Sequence, residues 1–319
     1  MDISIVMTTY NGSKYILEQM ESLRTQSMSP SEVIIIDDCS TDATVKIIRE
    51  YIEKWNLYNW KVFSNEKNVG WIVNFHNACQ KATSEFVFFC DQDDIWERDK
   101  IQTMIEIMIE NPLIDVLACR ISLIDENGKK LADTPMTLPF NSYSTGDIKK
   151  VLLTKKFIYE ISPGCTMVIR SGFISLLQSI EFEQSIPHDA LYWKMGVLLG
   201  KSYYIDLPLI KYRIHSTNAS SPMHGVSNKI KRTEVRLQEA LTYKNNIDKF
   251  LSLLNKMPQG NEIKSTKTYL EKISEFCDAR VTLFKNQHIT IEYVLLYRKY
   301  YRNFRMLIGD VSCIFLNRK

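Results

Sequence analysis

Glycine and proline are scarce in this sequence, with 11 and 9 among 319 residues, and no stretch is of low complexity. That composition excludes collagenous and disordered classes. No apolar run approaches the length of a membrane span, about 20 residues. The nearest, Met306 to Leu316, is interrupted by Gly309 and Asp310. The first residues lack the basic stretch and apolar core of a signal peptide, so no secretion is expected. The seven cysteines are odd in number and contain no Cys-x-x-Cys pair. This argues against a disulfide framework or a thiolate zinc site and fits a reducing cytoplasm. Two nucleotide-binding signatures are also missing. Without Gly-x-x-x-x-Gly-Lys-Ser/Thr there is no P-loop, and without Gly-x-Gly-x-x-Gly after the first strand a dinucleotide fold lacks its phosphate loop.

What is present is an ordinary globular composition, 45% apolar and 24% charged, with a net charge of +3 that hides an asymmetry. Residues 1–218 carry 22 Lys/Arg against 28 Asp/Glu, whereas residues 219–319 carry 18 against 9. At about 150 residues per domain the length suits two parts. The expected division is an acidic region, 1–218, and a basic helical region, 219–319. In the first, apolar β-branched runs alternate with segments of helical periodicity. The strands are Ile3–Thr8, Val33–Ile36, Trp60–Phe63 and Phe86–Cys90; helices follow at Tyr15–Leu23, Ala43–Lys54, Trp71–Ala82 and Lys100–Glu110. Such alternation predicts an open, mostly parallel α/β sheet with flanking helices. Further strands are expected at Val116–Ile124, Cys165–Ile169, Ser202–Ile205 and Ile210–Ile214, with helices near Ile174–Ile180 and Leu191–Leu199.

Ligands of open α/β sheets bind beyond the carboxyl ends of the strands. There the chain places Thr8-Thr9-Tyr10-Asn11, Asp37-Asp38-Cys39-Ser40 and Asp91-Gln92-Asp93-Asp94. Three carboxylates within four residues repel one another unless a positive charge joins them. Mg²⁺ or Mn²⁺ takes carboxylate oxygens and shares them with substrate phosphates, which points to a nucleotide or diphosphate ligand. Acidic residues at a strand end also cap the following helix, so the cluster alone does not decide.

The companion motifs do. Thr8-Thr9-Tyr10-Asn11-Gly12, Asp37-Asp38-Cys39-Ser40-Thr41-Asp42, Asn68-Val69-Gly70 and Asp91-Gln92-Asp93-Asp94-Ile95-Trp96, in this order and spacing, resemble the inverting glycosyltransferases of family 2, which have the GT-A fold. The resemblance continues through His188-Asp189 and Tyr212-Arg213-Ile214-His215 and covers about residues 1–218. It implies that Thr8, Tyr10, Asp38, Gly70 and Asp91 bind the nucleotide: Tyr10 stacks on the base, Asp38 accepts the imide N–H of uracil or thymine, and Asp91 faces the ribose. It implies that Asp93 holds Mg²⁺ or Mn²⁺ against the diphosphate, with His215 as a second metal contact or a structural histidine. Asp189 becomes the general base that activates an acceptor hydroxyl, or a helix cap, or both. Trp96, Gly164 and Trp193 would shape the acceptor pocket, since aromatic faces suit sugar rings. One departure from the family's pattern is Cys39, where glycine or asparagine is usual.

The surrounding pattern looks most like bacterial rhamnosyltransferases of surface polysaccharides. The expected donor is dTDP-rhamnose, with UDP-galactose, UDP-glucose or UDP-N-acetylhexosamine as alternatives, and a sugar-nucleotide-forming nucleotidyltransferase as a remote one. The acceptor is expected to be a growing glycan, lipid-linked in the fullest reading. Tyr297 to Arg305 interleaves basic and aromatic residues, as does a helix lying on an anionic membrane surface or one packed on the protein with a solvated basic face. The protein is therefore expected in the cytoplasm, at the inner face of the plasma membrane if the tail binds lipid. No nucleic-acid-binding module is recognised.

Overall fold

The structure, a computed structural model, describes residues 2–133, 146–157, 160–180, 185–216, 233–258, 260–286 and 288–316. The chain forms two compact units, Met1–Val151 with Ser162–Ser221, and Leu152–Ile161 with Pro222–Lys319.

In the first unit the strands are β1 (Ile3–Thr9), β2 (Glu32–Asp37), β3 (Trp60–Ser64), β4 (Phe86–Cys90), β5 (Ile95–Trp96), β6 (Val116–Ile124), β7 (Ile148–Lys150), β8 (Met167–Arg170) and β9 (Ser202–Arg213). Between them lie helices α1 (Ile16–Arg24), α2 (Thr44–Lys54), α3 (Trp71–Lys81), α4 (Lys100–Glu110), α5 (Ser171–Ser179) and α6 (His188–Leu198). Among the described residues the strands form one sheet in the order β3-β2-β1-β4-β8-β6-β9-β5, with β7 also pairing β9. Every residue of β1, β2 and β4 is buried. That is the reason these strands read as continuous apolar runs: a parallel sheet is covered on both faces.

The sheet is mixed rather than mostly parallel. Pairings β3-β2, β2-β1, β1-β4 and β6-β9 are parallel, but β8 enters between β4 and β6 antiparallel to both. β8 is reached from a 3₁₀ turn at Gly164–Thr166 instead of a helical crossover, so the chain arrives from the opposite end of the sheet. The two short strands expected at 202–205 and 210–214 are one twelve-residue strand. Its pairing with β6 is irregular around Arg120 and Pro208, where proline has no N–H for the ladder. Most of the stretch 134–146, which reads in the sequence as a polar loop, lies outside the described residues.

The second unit contains α7 (Thr233–Lys256), α8 (Asn261–Asn286), α9 (Ile291–Tyr297) and α10 (Phe304–Leu316). No helix among the described residues is long and apolar enough to cross a membrane. Tyr297 to Arg305 is not one amphipathic helix, because α9 ends at Tyr297 and α10 begins at Phe304. Its tyrosines turn inward: Tyr297, Tyr300 and Tyr301 pack on Phe276, and the Tyr301 hydroxyl donates to Asp310 at 3.0 Å. Arg298, Lys299, Arg302 and Arg305 remain exposed.

Candidate active site

Because β2, β1 and β4 are parallel neighbours, the loops that follow them leave the sheet at one rim. A cleft of about 410 Å³ opens there. Thr8, Tyr10, Asp38, Gly70, Asp91 and Asp93 line it, and Gly164 and Asp189 join them from the later part of the chain.

Short-range hydrogen bonds shape each loop. Asp37 accepts from the Thr9 hydroxyl and the Ser40 N–H, both at 2.8 Å, which fastens the turn after β2 to the end of β1. Asp38 Oδ1 accepts from Asn65 Nδ2 and the Val69 N–H, and Oδ2 from the Gly70 N–H, each at 2.8 Å. A carboxylate offers about four acceptor positions, so one position on Oδ2 is left for a ligand N–H. Gly70 precedes α3 with φ 85°, a conformation that favours glycine. Gln92 clamps the loop after β1: Oε1 accepts the Tyr10 N–H at 2.9 Å and Nε2 donates to the Tyr10 carbonyl at 3.1 Å. The clamp passes so close to Gly12 that a Cβ there would lie 2.1 Å from Gln92 Oε1. The Tyr10 ring is 46% exposed, open to stacking.

Three acids follow β4, and two of them have partners on or just after β9. His215 Nε2 lies 2.7 Å from Asp93 Oδ2, although the two are 122 residues apart. Asp94 Oδ1 accepts the Arg213 backbone N–H at 2.9 Å, while the Arg213 guanidinium donates to the Asp93 carbonyl at 2.8 Å and to Glu18 at 2.6 Å. One arginine on β9 thus holds both halves of the acidic loop. Burial pushes the Asp91 carboxyl up to about 7, and the negative charge of Asp93 adds to this. Burial, with Asp93 and Asp91 beside it, raises Asp94 well above the usual carboxylate range. Such a site favours an incoming cation.

Two groups of residues could receive one. Asp91, Asp94 and Cys165 bring ligand atoms within 4.8 Å of one another. There, however, the Lys100 ammonium already supplies positive charge, and burial raises the Cys165 thiol far above its ordinary value. Asp93, at the cleft, and His215 instead face each other as a hydrogen-bonded carboxylate and imidazole. That donor pair fits a divalent ion of the Mg²⁺ or Mn²⁺ class.

Asp189 stands in the first turn of α6 and accepts the Ala190 N–H at 2.7 Å. Burial pushes its carboxyl up to about 6, against the pull of that N–H and of Lys194. A carboxylate raised toward neutrality is a better proton acceptor at working pH. Beside it, His188 also lines the cleft, stacked on Phe75 with ring centroids 3.8 Å apart.

Two expected residues are not at the cleft. Trp96 is 3% exposed and belongs to the core beneath the sheet, packed on Phe88; it lines a separate groove of about 780 Å³ with Leu17, Tyr51 and Trp55. Trp193 is 2% exposed inside α6. Both indoles have too much apolar area to leave the core. Gly164 is at the cleft wall, where a Cβ would meet His188 Nε2 at 2.4 Å. Gln92 and Arg213 carry the site's architecture, although neither is among the site residues expected from the sequence. Arg213 stands in a motif that the sequence displays, but its partners become visible only when β9 is placed.

Residues 4–177 match the family described as Glycosyl transferase family 2. The chain belongs to that family. Among curated family 2 relatives, poly(ribitol-phosphate) beta-N-acetylglucosaminyltransferase TarS of Staphylococcus aureus (strain Mu50) is 31% identical over 217 residues, 64% of this chain and 35% of TarS. The chain therefore spans about a third of the length of that relative. The dTDP-rhamnosyl transferase RfbG of Shigella flexneri is 27% identical over 263 residues, 78% of this chain and 84% of RfbG. Among solved structures, S. aureus TarS 1-349 in complex with UDP has a TM-score of 0.55 at 20% identity, covering 98% of this chain and 89% of that one. Mannosyltransferase PcManGT from Pyrobaculum calidifontis, in complex with GDP-Man and Mn2+, has a TM-score of 0.55 at 16% identity, covering 99% and 88%. The fold is GT-A, with helices appended at the C-terminus.

Proposed function

We propose that this protein is a metal-dependent inverting glycosyltransferase that moves a sugar from a pyrimidine nucleotide-diphosphate donor to a hydroxyl of a growing surface glycan. The observation that carries the reading is the convergence of Asp38, Asp91, Asp93 and Asp189 on one cleft from three separate parts of the chain, the loops after β2 and β4 and the first turn of α6. Thr8 and Tyr10 form the base pocket, and the remaining acceptor position of Asp38 takes the imide N–H of uracil or thymine. Gly70 lets the backbone come close to the nucleotide, and Asp91 receives the ribose. Asp93 and His215 hold Mg²⁺ or Mn²⁺, which when bound neutralises the departing diphosphate. Asp189 removes the proton from the acceptor hydroxyl, and Gly164 lets the His188 ring close the cleft wall on the acceptor side. Attack opposite to the leaving group inverts the anomeric centre.

The leading donor is dTDP-rhamnose, supported by the likeness to RfbG along most of both chains. A UDP-N-acetylhexosamine donor is the second reading, supported by the likeness to TarS and by the TarS structure solved with UDP-GlcNAc. A lipid-linked acceptor is supported by the exposed Arg298, Lys299, Arg302 and Arg305 near the exposed Leu295, Leu296 and Phe304, a composition suited to peripheral contact with an anionic bilayer at the cytoplasmic face. On this division residues 1–218 are the catalytic domain and residues 219–319 the membrane-facing one. Thermal melts with UDP, dTDP, GDP and CDP in Mn²⁺ test the donor site. A pyrimidine diphosphate raises the melting temperature and GDP does not; no shift with any of the four overturns the reading.

A further inference from the structure

A tryptophan outside the expected set lines the cleft. Trp71 is 43% exposed and borders the same space as Phe75 and His188. Its ring centroid lies 6.2 Å from that of His188 with the planes 80° apart, an edge contact, and His188 in turn stacks on Phe75. The indole is exposed, but its mount is fixed. As the first residue of α3 it follows Gly70, whose N–H is taken by Asp38 Oδ2 at 2.8 Å. One turn on, the Asn74 N–H donates to the Gly70 carbonyl at 3.0 Å, and the fully buried Asn74 side chain donates to the Ile36 carbonyl at 2.9 Å. A large apolar ring left in water forgoes the stabilisation that burial in a core would bring. Held at the wall of a cleft, it offers its face to a ligand instead.

The indole adjoins groups with different tasks. Through Gly70 it neighbours Asp38, which takes the nucleobase, and through His188 it neighbours Asp189, which takes the acceptor proton. A donor laid between them has a base, a ribose, a diphosphate and a sugar. The base has Tyr10 and Asp38, the ribose has Asp91, and the diphosphate has the metal at Asp93. Phosphate is also repelled by the negative π-face of an indole. The sugar is the part without a partner so far, and its ring presents C–H groups of slight positive charge, the complement of that π-face. We propose that Trp71 is the platform on which the donor's pyranose ring lies, and so a residue that sets how much more strongly a sugar nucleotide is held than the bare nucleoside diphosphate. The inference rests on the glycosyltransferase reading of the cleft and adds to it a contact for the sugar.

The test compares wild type, Trp71→Leu and Trp71→Phe in the full chain, by calorimetry in Mn²⁺ with UDP, UDP-GlcNAc, UDP-galactose, dTDP and dTDP-rhamnose. Trp71→Leu should weaken the sugar nucleotide that wild type binds best about tenfold, and its parent diphosphate less than about twofold. Trp71→Phe keeps an aromatic face and should recover most of the loss. Melting temperatures should stay close to that of wild type, because the side chain lies outside the core. A merely structural role would not separate the sugar nucleotide from its diphosphate. Equal losses for the two would assign the indole to the base, and no loss for either would leave it to the acceptor or to solvent; both results overturn the proposal. So does a wild-type protein that binds UDP or dTDP but none of the sugar nucleotides. A wild-type protein that binds none of these ligands refutes the glycosyltransferase reading itself. Should neither variant fold, acrylamide quenching of wild-type indole fluorescence decides: the sugar nucleotide should protect more than its parent diphosphate, and equal protection refutes the platform.

Discussion

Cys39 holds a backbone conformation with φ 64°, in the left-handed region, immediately after Asp38. A side chain there costs about 1–2 kcal/mol, whereas glycine costs roughly 0.5–1 kcal/mol through the unfolded chain. Cys39→Gly should therefore raise stability by about 0.5–1 kcal/mol in urea melts. The cysteine was visible in the sequence as a departure from the family's pattern, and the structure supplies its physical consequence. Asp189 carries a second prediction. As the base it must be ionised, so kcat/KM should fall as pH drops through about 6, and Asp189→Asn should lower turnover about 100-fold or more. Stability moves the other way. Its folded value lies above the unfolded one, so the contribution is fully present at low pH and is lost as pH rises through about 6. Asp189→Asn should thus melt higher than wild type at pH 8, with the difference closing by pH 4. A constant difference across that range would dissociate the carboxyl from the titration.

At the scale of elements, β1, β2 and β4 place the cleft-lining Thr8, Asp38 and Asp91 because their buried, largely apolar sequences drive them into adjacent positions in the sheet. The loops between them are then held by contacts too distant in sequence to be foreseen. Gln92 reaches back 82 residues to both backbone groups of Tyr10. With its two bonds removed, Gln92→Ala should weaken dTDP or UDP binding about tenfold, since each bond contributes on the order of 1 kcal/mol. The melting temperature should barely move, because these bonds lie at the surface. An unchanged affinity in calorimetry would show that Tyr10 needs no clamp. β5 and β7, of two and three residues, were missed in the sequence because strands so short carry no period.

For the whole molecule, each unit has its own centre. In the second, Asp310 is completely buried and binds Arg236, Arg280 and Tyr301. Asp310→Ala leaves two arginines without their carboxylate, and breaking such a group typically costs about 3–5 kcal/mol. Far-ultraviolet circular dichroism should show helix loss at a markedly lower temperature than in wild type. The exposed basic residues of the same unit are tested separately. Replacing Arg298, Lys299, Arg302 and Arg305 by Glu should abolish sedimentation with anionic vesicles, each charge being worth about 1 kcal/mol at such a surface. Equal sedimentation of the two proteins, or none by wild type, would remove membrane contact from the reading.

Sequence alone determined the succession of strands and helices and the motifs at the strand ends, because apolar periodicity and turn chemistry are local properties of the chain. It also placed Thr8, Asp38, Asp91, Asp93 and Asp189 in the same functional context. Tertiary structure decided which side chains share a space: His215 beside Asp93, Arg213 across the acidic loop, Trp71 at the cleft, and Trp96 and Trp193 withdrawn into the interior. These depend on how far apart in the chain two elements meet and on which face each presents, and no local pattern encodes that.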